Sequence, residues 1–457
     1  MKKFLNKYNL DYKFGLILLI ISIIFSIMMP IYQTPDEPAH LQMIYDELNQ
    51  DINTYEVYAN PFKTYEIIWN TKEKIDKKAY FYFDDRLEEK LSFKLPKITI
   101  IRHIPQIIAV LISHLFNLNT FFALFLMELF ACINYSIICM ISLKLMPIKK
   151  DMMKFIMLLP ICIQQISSLS YDSMLLPMLF LFIAYIFNLK FNKNTINIKD
   201  ILIGLILLLI IGIIKIPYIL FGLLFLLLID KININIGKFS FNIDFIKKNK
   251  YTILTIITIL IPMSLLVLTK NDFTRGVVAF ILSPLEFIKI EYLTFKTFLP
   301  HLVYSATGSF AWLNVNASIT YCFILIIMLF ISYFNVQNEF KLSRLSKFIL
   351  ILFILVITSL ITLSLYAWSI GVAYNICDFN EFNLSEMVRF IKEHSDLVVL
   401  GLQGRYYIPL LPLIGLLFNS KRINDILIKI KFKYINILFW VCSYIYIFSL
   451  LLNRFWI

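Results

Sequence analysis

The sequence predicts an all-α, polytopic transmembrane helical bundle, and three observations predict it. The 457 residues are 59% hydrophobic and only 16% charged, with mean hydropathy +0.77, far more apolar side chain than one soluble core buries. The apolar residues come in repeated long runs rich in Leu, Ile and Phe, without the alternation of a membrane barrel. Backbone inside a bilayer must satisfy its own hydrogen bonds, so helices are the solution. Third, the basic residues gather in short segments between these runs, as they do in membrane loops.

At about twenty apolar residues per span, spans fall near 14–31, 119–143, 152–166, 173–189, 200–214, 217–230, 251–269, 318–335, 348–370, 405–419 and 434–452. That is about 11 spans, within a range of about 9 to 13. The stretch 101–117 is a further span or a helix lying at the surface. The first run follows Lys2, Lys3 and Lys7 and ends in Met28-Met29-Pro30 without a small-residue cleavage site, so it reads as an uncleaved first span.

With Met1 inside, the loops carrying Lys144/Lys149/Lys150/Lys154, Lys190/Lys193/Lys199, Lys231 to Lys250, Lys341/Arg344/Lys347 and Lys421 to Lys433 all fall inside as well. About 24 of the 43 basic residues but only about 7 of the 30 acids then lie on that side, which makes the N-terminus cytoplasmic. Three outer segments are long, at 32–100, 271–316 and 371–403, and loops of that length are functional or carry structure of their own. No repeat or separate soluble domain is visible, so residues 1–457 read as a single integral membrane domain. Cys132, Cys139, Cys162, Cys322 and Cys442 fall in apolar runs and Cys377 in an outer loop, without disulfide or zinc spacing. The formal charge of +13 follows topology rather than one basic face, which argues against nucleic acid.

Four segments carry residues capable of chemistry. Directly after the first span comes Gln33-Thr34-Pro35-Asp36-Glu37-Pro38-Ala39-His40, with two carboxylates and an imidazole at the membrane surface. Its plain reading is a helix start: Thr34 and Glu37 have capping-box spacing, and acids suit the first turn. Pro38 fits that register poorly, because it removes a donor the first helical bond needs. Ser167-Ser168-Leu169-Ser170-Tyr171-Asp172-Ser173 is a polar turn between two spans. Lys215-Ile216-Pro217-Tyr218 puts a lysine between two spans with scarcely any loop, either to snorkel or to bind. In Gln403-Gly404-Arg405-Tyr406-Tyr407-Ile408-Pro409 a glycine before Arg405 would let a ligand approach closely, and a guanidinium clamps phosphate bidentately. Tyr406 and Tyr407 alone are aromatic-belt residues. His103, His114 and His301 are isolated, and Glu128 is the only acid placed inside a span. Asp36, Glu37, His40, Asp172, Lys215 and Arg405 all fall at the outer surface, so a shared site is expected there.

In order and placement, these motifs resemble the bacterial predicted membrane proteins of domain of unknown function 2142, over nearly the whole chain. That family is similar in layout to the GT-C membrane glycosyltransferases, with many spans, a long first outer loop and an acid just after the first span. The resemblance implies a GT-C-like bundle in the bacterial plasma membrane, transferring a sugar with inversion from a polyprenyl-phosphate donor in the membrane lipid to an extracytoplasmic acceptor. The acceptor class stays open, with a cell-envelope glycan or lipid-linked glycan as the expectation. Asp36 or Glu37 would be the general base, while Arg405, supported by Lys215, stabilises the leaving phosphate. His40, Tyr171, Asp172, Lys215, Tyr218, Gln403, Arg405 and Tyr406 would contact substrate. The stabilisation by Arg405 and Lys215 would need no metal, whereas some GT-C enzymes use a divalent ion instead; for magnesium or manganese the ligand candidates are Asp36, Glu37, His40 and Asp172. The chain departs from several of those enzymes in having no sizeable C-terminal soluble domain. A transporter or flippase is the alternative, though glycine is scarce at 11 residues and no repeat is visible. A non-catalytic assembly protein is the other, and it would not need distant acids and bases to converge.

Overall fold

The computed structural model describes residues 10–54, 73–77, 80, 91, 95–231, 233–236, 239–242, 278–335, 340–370, 374 and 383–457. Helices dominate these residues. In chain order they are α1 (Tyr12–Met28), α2 (Glu37–Glu47), a 3-10 turn (Ile98–His103) running into α3 (Ile104–Leu115), α4 (Thr120–Leu145), α5 (Lys150–Met157), α6 (Pro160–Ile166), α7 (Asp172–Asn192) and α8 (Ile198–Ile214). A long 3-10 helix (Ile216–Leu228) follows, then α9 (Pro284–Thr307), α10 (Ile319–Ser332), α11 (Arg344–Trp368), α12 (Leu384–Glu393), a second 3-10 helix (Gly404–Leu410), α13 (Leu411–Leu417), α14 (Lys421–Lys429) and α15 (Phe432–Phe455). Two small antiparallel hairpins pair β1 (Asn233–Ile236) with β2 (Phe239–Asn242), and β3 (Ser309–Phe310) with β4 (Val315–Asn316).

Five described helices are long and apolar enough to cross a membrane: Ile98–Leu115, Thr120–Leu145, Asp172–Asn192, Arg344–Tyr366 and Phe432–Phe455. Although Ile98–Leu115 has the length and apolarity of a span, both its ends contact the short helix α2, His103 through Glu47 at 2.9 Å and His114 through the Tyr45 hydroxyl at 3.3 Å, which favours the surface-lying alternative for 101–117. Tyr12–Met28, Ile216–Leu228, Ile319–Ser332 and Gly404–Leu417 are apolar but shorter. The expected span at 251–269, Cys377 and most of 55–94 lie outside the described residues. The expected loop 271–316 contains the 24-residue helix α9.

Helix α4 packs against α1, α3 and α7, and α7 is the most buried of the long helices. Phe14, Leu18, Ser22 and Phe25 form one buried stripe along α1 at helical spacing. Two prolines interrupt the interior, and each break is satisfied from a neighbouring helix. Pro177 in α7 cannot donate to the Ser173 carbonyl, and Asn134 Nδ2 of α4 donates to it instead at 3.4 Å. The expected span 152–166 is two buried helices separated at Pro160. Around that break Tyr135 donates its hydroxyl to the Met157 carbonyl (2.9 Å), Tyr444 to Leu158 (2.8 Å) and the Cys162 thiol to Ile156 (3.4 Å).

The two ends of the bundle differ in charge. At the end where α1 begins, Lys154 pairs with Asp11 at 2.6 Å. There the buried Lys149 ammonium donates to the carbonyls of Tyr333, Gly415 and Phe418, tying down the ends of α10 and α13. Lys190 with Asp230 and Lys193 with Asp200 sit at the end of α7 and the start of α8. The four chemistry-bearing segments lie at the opposite end, where α1 and α8 finish and α7 begins.

Candidate functional site

The segment after α1 does not start its helix where the capping-box spacing suggests. The N-cap is Asp36, in the left-handed conformation at φ 69°, and α2 begins at Glu37. Pro38 therefore sits in the first turn, where its missing N–H costs nothing, and the poor fit of Pro38 disappears. The left-handed turn pushes the Asp36 carboxylate outward, 58% exposed, with Oδ2 3.4 Å from Nη2 of Arg405.

Glu37 points the other way and is buried. Its carboxylate accepts from the backbone N–H of Thr34 at 3.0 Å and of Leu169, across the bundle, at 3.2 Å. Burial nevertheless dominates over these bonds and raises its pKa to about 8. Glu37 thus stitches the post-α1 segment to the serine-rich turn, and of the two acids only Asp36 presents its carboxylate to solvent. Gln106 of α3 supports that turn from the far side, donating to the Ser173 hydroxyl at 2.8 Å.

Arg405 is brought in by the 3-10 helix Gly404–Leu410. A Cβ on Gly404 would run into the Leu302 carbonyl oxygen and lie 2.6 Å from the Ala306 Cβ. The glycine therefore serves close packing on α9, not the ligand access expected of it; its N–H also donates to Ser305 Oγ at 2.8 Å. The Arg405 side chain is 7% exposed, and its guanidinium donates from Nη1 to Gln165 Oε1 at 2.8 Å. Arg405 Nε and Gln165 Nε2 are buried donors without an acceptor among the described residues. A ligand rich in oxygen acceptors would satisfy both.

From Arg405 a ladder of aromatic and cationic groups continues. Its guanidinium lies 5.3 Å from the Tyr406 ring centroid, and Lys215 Nζ lies 4.6 Å from the same centroid. Lys215 is also 5.7 Å from the Tyr171 ring and 6.0 Å from that of Tyr218. Tyr218 donates its hydroxyl to the Tyr406 carbonyl at 2.8 Å, which locks the two motifs together. Asp172, at the start of α7, acts electrostatically on both Lys215 and Arg405.

Beside this ladder a groove of about 440 Å³ opens between spans. Its lining combines the polar side chains of Arg102, Tyr171, Lys215 and Tyr406 with apolar ones that include Ile214, Ile216, Ile361 and Leu365. Asp36, His40, Tyr171, Asp172, Lys215, Tyr218, Arg405 and Tyr406 thus share one end of the bundle. Gln403 does not join them, because its side chain lines a separate pocket of about 100 Å³ with Phe298 and His301.

His103 is not isolated, contrary to the sequence reading. Its Nδ1 lies 2.9 Å from Glu47 Oε2 and its Nε2 lies 3.4 Å from His40 Nδ1. Arg102, His103, Glu47 and Gln165 are the site residues that sequence reasoning missed. The signals present were Arg102-His103 heading an apolar run, and Gln164-Gln165 inside one. The divalent-ion candidates Asp36, Glu37, His40 and Asp172 do not assemble: among the described residues no three His, Cys, Asp or Glu side chains gather as a metal-binding group. With Glu37 bound to backbone N–H groups, this donor set does not fit a divalent ion.

The match to known proteins is at the level of family. The model of the predicted membrane proteins DUF2142 matches residues 19–414, most of the chain and all four motifs. The chain belongs to that family. In this DUF2142 protein the matched region runs from within α1 to α13 and takes in both the ladder and the groove. No curated protein and no solved structure matches the chain significantly.

Proposed function

We propose that the chain is a GT-C-like glycosyltransferase, moving a sugar from a polyprenyl-phosphate-linked donor to an acceptor hydroxyl at the extracytoplasmic face of the bacterial plasma membrane. One observation carries the reading: a groove between spans is lined by Arg102, Lys215 and Tyr406 together with apolar side chains, and the Tyr406 ring at its edge also carries Arg405, which pairs with the exposed Asp36 carboxylate. An amphiphile with an anionic head suits such a groove, its chain against Ile214, Ile361 and Leu365 and its phosphate among the cations.

In this reading the donor phosphate displaces Asp36 from Arg405 and takes up the unpaired Arg405 donor. The acceptor oxygen attacks the anomeric carbon as the bond to the phosphate oxygen breaks, and the electron pair leaves with polyprenyl phosphate. Asp36 takes the hydroxyl proton, and Arg405 with Lys215 stabilises the charge growing on the leaving phosphate. No metal enters these steps. The acceptor is a cell-envelope glycan or lipid-linked glycan.

The test is transfer from a panel of radiolabelled polyprenyl-phosphate sugars in membranes containing wild type, Asp36→Asn or Glu37→Gln. Label in a new product with wild type, lost with Asp36→Asn and retained in part with Glu37→Gln, supports the reading. A second reading, a flippase, has its own observation: Glu128 is buried in the first half of α4 with Oε2 unpartnered among the described residues. It predicts movement of lipid-linked sugar across vesicles without any new product.

A further inference from the structure

Glu47, His103 and His40 form a buried line of three titratable groups that the proposed transfer chemistry does not use. They are 3%, 0% and 6% exposed. The 2.9 Å contact to Glu47 Oε2 makes His103 Nδ1 the donor, because a carboxylate oxygen accepts. That leaves a lone pair on His103 Nε2, which at 3.4 Å accepts from His40 Nδ1. His40 then presents an unprotonated Nε2, so one carboxylate fixes two imidazole tautomers in series.

The line leads to the site. His40 stands one helical turn after Asp36, its N–H donating to the Asp36 carbonyl at 2.9 Å. Its ring meets the edge of Tyr171 with centroids 4.6 Å apart, and Tyr171 lines the groove beside Lys215. We propose that Glu47, His103 and His40 are a proton relay whose basic end, His40 Nε2, receives the proton that Asp36 has taken from the acceptor hydroxyl.

The transfers balance. A proton arriving at His40 Nε2 is matched by passage of the Nδ1 proton to His103 Nε2 and of the His103 Nδ1 proton to Glu47 Oε2. The relay ends with two neutral imidazoles and a neutral carboxylic acid, and reversal after product release returns the proton to solvent. This explains why a base can work beside two cations. A proton held at His40 would face Arg405 and Lys215, whereas one delivered to Glu47 cancels a negative charge. The groups facing His40 are His103, Tyr171, Arg405 and Lys215; those facing His103 are Glu47, His40 and Tyr171. Burial, reinforced by His103, Arg405 and Lys215, holds the His40 imidazole well below its usual range, which keeps Nε2 free.

The inference rests on the glycosyltransferase reading for its chemistry but not for its first test. With five histidines in the chain, ¹⁵N-histidine spectra of the full-length protein in lipid nanodiscs resolve each ring, assigned by His40→Gln and His103→Gln. The expected result is Nδ1–H on both rings at neutral pH, with the His103 proton far downfield and moved upfield by Glu47→Gln. An Nε2–H tautomer on either ring, or spectra indifferent to Glu47→Gln, overturns the relay. In the radiolabel assay, Glu47→Gln should slow transfer about 10- to 100-fold and move the acid limb of the pH–rate profile to lower pH, as His40 loses its supporting carboxylate. A uniform loss at every pH reduces the three residues to structure. If wild type transfers from no donor, the glycosyltransferase reading fails, while the tautomers still decide the relay.

Discussion

At Asp36 conformation and chemistry are separable. Asparagine tolerates the left-handed region as well as aspartate does, so Asp36→Asn keeps the turn and removes only the charge. We expect unchanged thermal unfolding and transfer lowered by about 100-fold or more; wild-type turnover would remove Asp36 from the chemistry. Arg405 permits a similar separation. A lysine has no planar fork to hold Gln165 with one nitrogen and the Asp36 side with another, so Arg405→Lys should cost about 10²- to 10³-fold in transfer. Retention of full activity would show that a point charge suffices. Glu37 contributes a pH dependence. Its pKa rises from 4.5 to about 8 on burial, so the folded state binds the extra proton. The stability this contributes is complete below pH 4.5 and is lost as pH rises through about 8. Melting temperatures followed over that window should fall in wild type and much less in Glu37→Gln; parallel curves would assign the dependence to another group.

At the scale of elements, Pro160 and Pro177 decide where helices break, and partners far along the chain decide whether the breaks are tolerable. The sequence displays both prolines and predicts a buried helical segment at 152–166. It does not show that Tyr135 and Tyr444, 22 and 286 residues from the carbonyls they serve, complete the break at Pro160. Tyr444→Phe leaves the Leu158 carbonyl unpaired in an apolar interior and should destabilise by about 1–3 kcal/mol, read as a lower denaturation midpoint in detergent. An unchanged midpoint would mean that another donor reaches Leu158. The site was legible in the same partial way. Motifs with several polar residues close together announced themselves, whereas Glu47 and His103 lie 56 residues apart and only folding joins them. Likewise Asp36 and Glu37 are adjacent and alike in sequence, and only the left-handed turn sends one outward and the other inward.

For the molecule as a whole, charge is sorted between the ends of the bundle. Lys149, Lys154, Lys190 and Lys193 hold the end where α1 starts, and the ladder from Asp36 to Lys215 occupies the other. A lysine-rich end resists translocation, so the Lys149 end should be cytoplasmic and the groove should open toward the outer side. Single cysteines in a cysteine-free chain test this with a membrane-impermeant thiol reagent. Asp51 follows α2 at the site end, Arg422 lies in α14 at the lysine-rich end, and both are exposed. Asp51→Cys should label in intact cells, and Arg422→Cys only after permeabilisation. The reverse pattern would turn the groove toward the cytoplasm, where an extracytoplasmic acceptor cannot reach Asp36, and the proposed transfer would fail on topology before any substrate was tried.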